Sequence, residues 1–166
     1  MSAAIASMPS QSFGDPLPTG RAAAIVRGVQ LMFAELGLAS LTEVGLANGR
    51  RADLMAVGRR GEIVIVEVKS CLQDFRTDQK WPEYAPYCDR FFFAVDCDFP
   101  KDLIPDHAGL MVCDGFGGAV LRQCQPDLLN AARRKAVTLF FARIAAARLM
   151  RAGCPAGASL SEPAID

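Results

Sequence analysis

Two acids and a lysine, Asp53, Glu67 and Lys69, stand where a short hairpin brings them to one point. Glu62 to Ser70 reads as a strand. Its core, Ile63-Val64-Ile65-Val66, is β-branched throughout and apolar on both faces, as in a central strand covered on both sides. Arg50 to Val57 reads as the preceding strand, and Gly58 to Gly61 as the turn. A turn centred on Arg60 sets Asp53 opposite Glu67, with Cβ atoms ~5 Å apart on one face. Lys69 lies two residues beyond Glu67 and shares that face. Charges at the end of so apolar a strand are costly unless they pair or hold a metal.

Carboxylates this close suit a hard divalent cation. Mg²⁺ or Mn²⁺ takes oxygen ligands, often from one or two carboxylates, and leaves positions for water and a substrate phosphate. Such an ion polarises a phosphoryl oxygen and lowers the pKa of a bound water. A nearby lysine orients that water or stabilises the charge developing on phosphate. Asp53, Glu67 and Lys69 thus supply the parts of phosphodiester hydrolysis. A salt-bridged hairpin end is the alternative.

The elements that position this group follow from periodicity. Ile25, Val29, Met32, Phe33 and Leu36 recur at spacings of three and four from Thr19 onward, which predicts a helix stopping at Gly37. Leu38 to Ala47 reads as a first strand, closed by an Asn48-Gly49 turn. Leu72 to Tyr84 is polar and partly helical, and Phe91 to Val95 is a buried strand. Leu110 to Cys113 and Ala119 to Arg122 are further strands, turned at Gly117-Gly118. Leu128 to Met150 is the longest helix. Its buried stripe is predicted to be Leu129, Ala132, Ala136, Phe140 and Ile144, with Val137 beside them. The order α-β-β-β-α-β-β-α implies an α/β layer domain.

Composition narrows the function classes. The chain has 166 residues, 51% apolar and 22% charged, which suits one globular domain. Eighteen basic residues balance eighteen acidic ones, so no net charge advertises nucleic acid and local patches must be sought instead. No apolar run is long enough to span a bilayer. Residues 1–19 carry no Lys or Arg and include Pro9, Pro16 and Pro18; they read as a disordered leader, not a secretory signal. Residues 20–152 form the domain and 153–166 a flexible tail. Cys71, Cys88, Cys97, Cys113, Cys124 and Cys154 form no CxxC pair, and His107 is the only histidine. That excludes a zinc site of ordinary spacing and disfavours His-dependent nucleophilic catalysis. Reduced, mostly buried thiols in a cytoplasmic protein are expected.

Arg51-Ala52-Asp53, thirteen residues, then Glu67-Val68-Lys69 resembles the PD-(D/E)XK nuclease signature, with Ala52 where that motif often has proline. The longer run Val66-Glu67-Val68-Lys69-Ser70 through Asp74-Phe75, Asp78, Lys80, Trp81, Tyr84 and Cys88-Asp89 is similar to the MmcB-type DNA repair family, over roughly residues 20–150. The resemblance implies a restriction-endonuclease-like core, a mixed central sheet flanked by helices, and work in DNA repair. By the same likeness Glu35, near the end of the first helix, would complete the metal site; a solvated helix charge is the alternative. Gln79 and Lys80 would touch the scissile phosphate, or else form an exposed helix-end pair. Glu43 is either a substitute ligand or a surface charge.

DNA contact needs local positive charge. Arg133, Arg134, Lys135, Arg143, Arg148 and Arg151 fall between positions 128 and 153, where no acidic residue occurs. Arg50, Arg51, Arg59 and Arg60 flank the second strand. Arg51, Lys80, Arg133, Arg134 and Lys135 are the candidate DNA-binding residues. Cations favouring a helix C-terminus account better for Arg148 and Arg151. Trp81, Tyr84 and Tyr87 offer stacking surfaces for unpaired bases, although core packing is the commoner role of aromatics. The expectation is a Mg²⁺- or Mn²⁺-dependent DNA endonuclease. Its partners are DNA, repair proteins and a second copy of the chain. The competing readings are a non-catalytic DNA- or partner-binding module and hydrolysis of RNA.

Overall fold

The computed structural model describes residues 20–77 and 80–153. The leader, Gln79 and the tail after Gly153 lie outside them. Helix α1 (Arg21–Glu35) is followed by three strands, β1 (Ala39–Gly45), β2 (Arg51–Val57) and β3 (Ile63–Val68). A short helix α2 (Leu72–Thr77) and a 3-10 segment (Trp81–Tyr87) cross over to β4 (Arg90–Val95). Strands β5 (Gly109–Cys113) and β6 (Gly118–Arg122) and the long helix α3 (Ala131–Gly153) complete the domain.

The six strands form one sheet in sequence order. β1-β2-β3 are antiparallel, β3-β4-β5 parallel, and β5-β6 antiparallel. With helices on both faces this is the expected α/β architecture. The β2–β3 register, Leu54↔Val66 to Val57↔Ile63, is that of a turn centred on Arg60. Gly61 at φ 78 makes that turn possible, and the Gly58 N–H donates to the Glu62 carbonyl across it.

Strand alternation divides the core. Leu54, Ala56, Val64, Val66, Phe92 and Ala94 face α1, which buries Ile25, Val29, Met32 and Phe33 against them. α1 ends at Gly37 (φ 74) in a Schellman closure: Leu38 N–H donates to the Phe33 carbonyl and Gly37 N–H to that of Ala34. Leu36 consequently leaves the stripe and is exposed, contrary to its spacing. On the opposite face Met55, Ile63 and Ile65 meet the 3-10 segment and α3.

Asn130 caps α3, its side-chain oxygen accepting the Arg133 N–H at 2.9 Å, so the helix begins later than Leu128. Its buried residues are Val137, Phe140, Phe141 and Ile144, whereas Ala132 of the expected stripe is exposed. Cys88, Cys113 and Cys124 are buried, and burial pushes the Cys88 and Cys113 thiols up to about 12. Cys71 and Cys97 are exposed, so the thiols of the described residues are mostly buried. Tyr84 and Tyr87 are core residues, and Trp81 lies half-buried against Phe91 and Phe93. Among the described residues no helix is long and apolar enough to cross a membrane.

Candidate active site

The charged residues gather at the end of the sheet where β3 and β4 finish. Glu67 is the fifth residue of β3 and lies on the face of Ile63 and Ile65. Its parallel neighbour is Phe93, itself fully buried, so Glu67 is packed among apolar groups and only 7% exposed. Lys69 follows the strand, fixed by its own N–H to the Ala94 carbonyl at 2.9 Å, and is 4% exposed. The Lys69 ammonium lies 3.4 Å from Glu67 Oε1.

Asp53 enters from β2. Continuing the β2–β3 register by one step sets it opposite Glu67, and its Oδ2 accepts the Val68 N–H at 2.8 Å. Burial drives the Asp53 carboxyl above its usual range, and the nearby Glu43 pushes the same way. The Val68 amide, Lys69 and Arg51 oppose that rise without cancelling it. Asp53, Glu67 and Lys69 therefore share one end of one face, where excess negative charge is held out of water.

Glu43 belongs to this neighbourhood. The flanking pairs Thr42↔Leu54 and Val44↔Ala52 put it level with Asp53, yet it interrupts the ladder. Its φ of 52 is the positive conformation uncommon for a residue with a side chain, at a cost of about 1–3 kcal/mol. Arg148 of α3 holds the kink, donating to the carbonyls of Thr42 at 2.5 Å and Glu43 at 3.0 Å. The Glu43 carboxylate meets Arg51 Nε at 2.6 Å, both side chains being largely exposed.

Glu35 is not brought to this group. α1 runs with its first turn near the strand ends, where Arg21 pairs with Asp96 just beyond β4 at 3.0 Å. Its last turn lies near the β2–β3 turn, where Gly37 approaches Arg59. Glu35 is exposed there, at the other end of the sheet. Lys80 is exposed at the start of the 3-10 segment, next to Trp81, which packs on Phe93 beside the site.

Arg133, Arg134 and Lys135, in the first turns of α3, also lie toward the β2–β3 turn. Arg134 grips Asp89 through two bonds of 2.6 Å and donates to the Gly61 carbonyl at 2.7 Å. Arg133 donates to the Pro86 carbonyl and lies 4.5 Å from the Tyr87 ring centre. From Gly61 to Glu67 is six strand steps, roughly 20 Å. Lys135 is exposed at that same helix end. Arg134 ties α3 to the segments before β3 and β4, so its guanidinium already serves a structural contact. Asp89, its partner, stands in the family-like run, but its structural role is not legible in the sequence because the segment before β4 and α3 meet only in the fold.

Together these features define an α/β domain carrying two acids and a lysine on one sheet face, at the C-terminal end of its parallel strands. A family model described as DNA repair protein MmcB-like matches residues 11–156. The chain belongs to that family, which places it in DNA repair. A solved protein of unknown function from Silicibacter pomeroyi is similar in structure, with a TM-score of 0.82 and 37% identity. The match covers 87% of this chain and 99% of that one. No curated protein matches the chain.

Proposed function

We propose that this protein is a metal-dependent DNA endonuclease of DNA repair, with a restriction-endonuclease-like core. The observation that carries the reading is a lysine and a glutamate buried together at a strand end, with Asp53 across the β2–β3 ladder. Water-excluded charges at a sheet terminus are hard to account for by stability alone.

The donor set fits Mg²⁺ or Mn²⁺. Asp53 and Glu67 offer hard oxygen donors, and their joint charge exceeds that of Lys69. Among the described residues no group of three or more His, Cys, Asp or Glu converges for a metal, so solvent and phosphate oxygens would complete the shell. A bound ion supplies a polarised phosphoryl oxygen and an acidified water. The Val68 amide orients Asp53. The Lys69 ammonium, 3.4 Å from Glu67 Oε1 on a backbone tied to the Ala94 carbonyl, would orient the attacking water or meet charge developing on the phosphate. Lys80 and Arg51 would meet the phosphate backbone as it approaches. Gln79 keeps its proposed role at the scissile phosphate.

Purified protein with Mg²⁺ or Mn²⁺ is expected to nick branched, damaged or single-stranded DNA. Lys69→Ala should slow nicking by about 100-fold or more; equal cutting by that variant would show the site to be misassigned. A second reading, a non-catalytic module binding DNA or a repair partner, draws support from the two-carboxylate limit. It requires DNA binding with no heat of Mn²⁺ binding in calorimetry.

A further inference from the structure

Glu43 and Arg51 form an ion pair on the rim of the site, and the backbone presents Glu43 in an unusual way. A glutamate inside a strand has no local reason to adopt φ 52. The conformation persists because Arg148 reaches from α3 to hold the carbonyls on both sides of the kink, at 2.5 and 3.0 Å. The result is a carboxylate level with Asp53 that meets Arg51 Nε at 2.6 Å.

An arginine beside a phosphodiester-cleaving site meets phosphate oxygens with the same planar donor fork that it offers a carboxylate. We propose that Glu43 occupies, on Arg51, the place of a DNA phosphate. It keeps Arg51 aligned along the substrate path and is displaced when the nucleic acid arrives. Glu43 is then a positioning residue acting through Arg51, and an internal anion that competes with DNA. This rests on the nuclease reading of Asp53, Glu67 and Lys69, and deepens it by naming one phosphate contact and its built-in competitor.

The consequence has a sign opposite to that of a ligand or a general scaffold residue: loss of the Glu43 carboxylate strengthens DNA binding. The test is fluorescence anisotropy of the full chain with labelled single-stranded and duplex oligonucleotides, in EDTA, over a series of KCl concentrations. Glu43→Gln should bind about two- to fivefold tighter at low salt, the range of one exposed ion pair. The gain should shrink as KCl rises, because salt screens the exposed Glu43–Arg51 attraction that the variant removes. Glu43→Gly, free to adopt the positive φ, should show the same gain, so that a folding defect in one variant leaves the other informative. Arg51→Ala should weaken binding, and Glu43→Gln added to Arg51→Ala should change nothing further.

Binding by Glu43→Gln equal to or weaker than wild type overturns the proposal. So does an equal gain with and without Arg51, which would be general charge relief, and so does a wild-type chain that binds no DNA. The measurements contain no metal. Failure of the nuclease reading, seen as wild-type DNA binding without cleavage in Mg²⁺ or Mn²⁺, is therefore separate from failure of the Glu43–Arg51 cycle.

Discussion

Replacing Lys69 by methionine tests whether the candidate site holds charge at the expense of stability. The ammonium and Glu67 Oε1 are 3.4 Å apart, with side chains 5% and 9% exposed. At an effective dielectric of about 20, unit charges at that separation attract by about 5 kcal/mol. Part of this is returned when the ammonium no longer has to be desolvated. The expected loss on Lys69→Met at neutral pH is therefore about 3 kcal/mol, within the usual range for breaking a buried pair. Because Asp53 also feels Lys69, the variant leaves two acids facing each other across the β2–β3 ladder. Removing both charges, in Glu67→Gln with Lys69→Met, should restore stability to within about 1 kcal/mol of wild type. Urea denaturation at neutral pH measures this. With a slope of about 2 kcal/mol/M, the single variant's midpoint falls by about 1.5 M and the double variant's recovers. A single variant as stable as wild type, or a double variant as unstable as the single one, would refute the reasoning.

The remaining predictions concern the scaffold. Asp89 is buried, with its carboxylate taking Arg134 twice, the Ile63 N–H and the Leu129 N–H. Burial works to raise its pKa, but the Arg134 bonds and the two amides outweigh it and hold the group below the ordinary range. A lowered folded pKa gives stability that is present above the unfolded value of about 3.9 and lost as pH falls through the folded one. Asp89→Asn should therefore be less stable by about 3 kcal/mol at pH 7, with the gap to wild type narrowing in acid, as urea midpoints across that range would reveal. Gly28 of α1 has no room for a side chain, since a Cβ there would collide with the Asp114 and Gly117 carbonyl oxygens. Gly28→Ala should cost about 2 kcal/mol and lower the thermal midpoint by about 4–8 °C; an unchanged melt would show that this loop yields freely.

Local signals in the sequence were enough to place Asp53, Glu67 and Lys69. Two glycines bracket the β2–β3 turn, the turn fixes the register, and alternation fixes the face. The succession of strands along the chain and both long helices were legible for the same reason: hydrophobic period survives in the local chain. What the local chain does not show has a different cause. Glu35 was assigned by likeness, but which end of α1 lies over which end of the sheet is a tertiary fact. The structural contact of Arg134 is not legible because its acid lies 45 positions away, just before β4. The Glu43 kink was invisible, since no glycine marks it and Arg148, 105 positions on, holds it. Leu36 kept the helical spacing while the chain had already turned toward Leu38.

All three proposed catalytic groups lie between positions 53 and 69, on one two-stranded ribbon closed by a tight bend. Bringing them face to face closes a very short stretch of chain, which costs little entropy and needs no distant partner. α1 and α3, drawn from opposite ends of the chain, then act mainly on how long that arrangement lasts. Damage to either helix should shorten the lifetime of the assembled groups before it alters which of them meet.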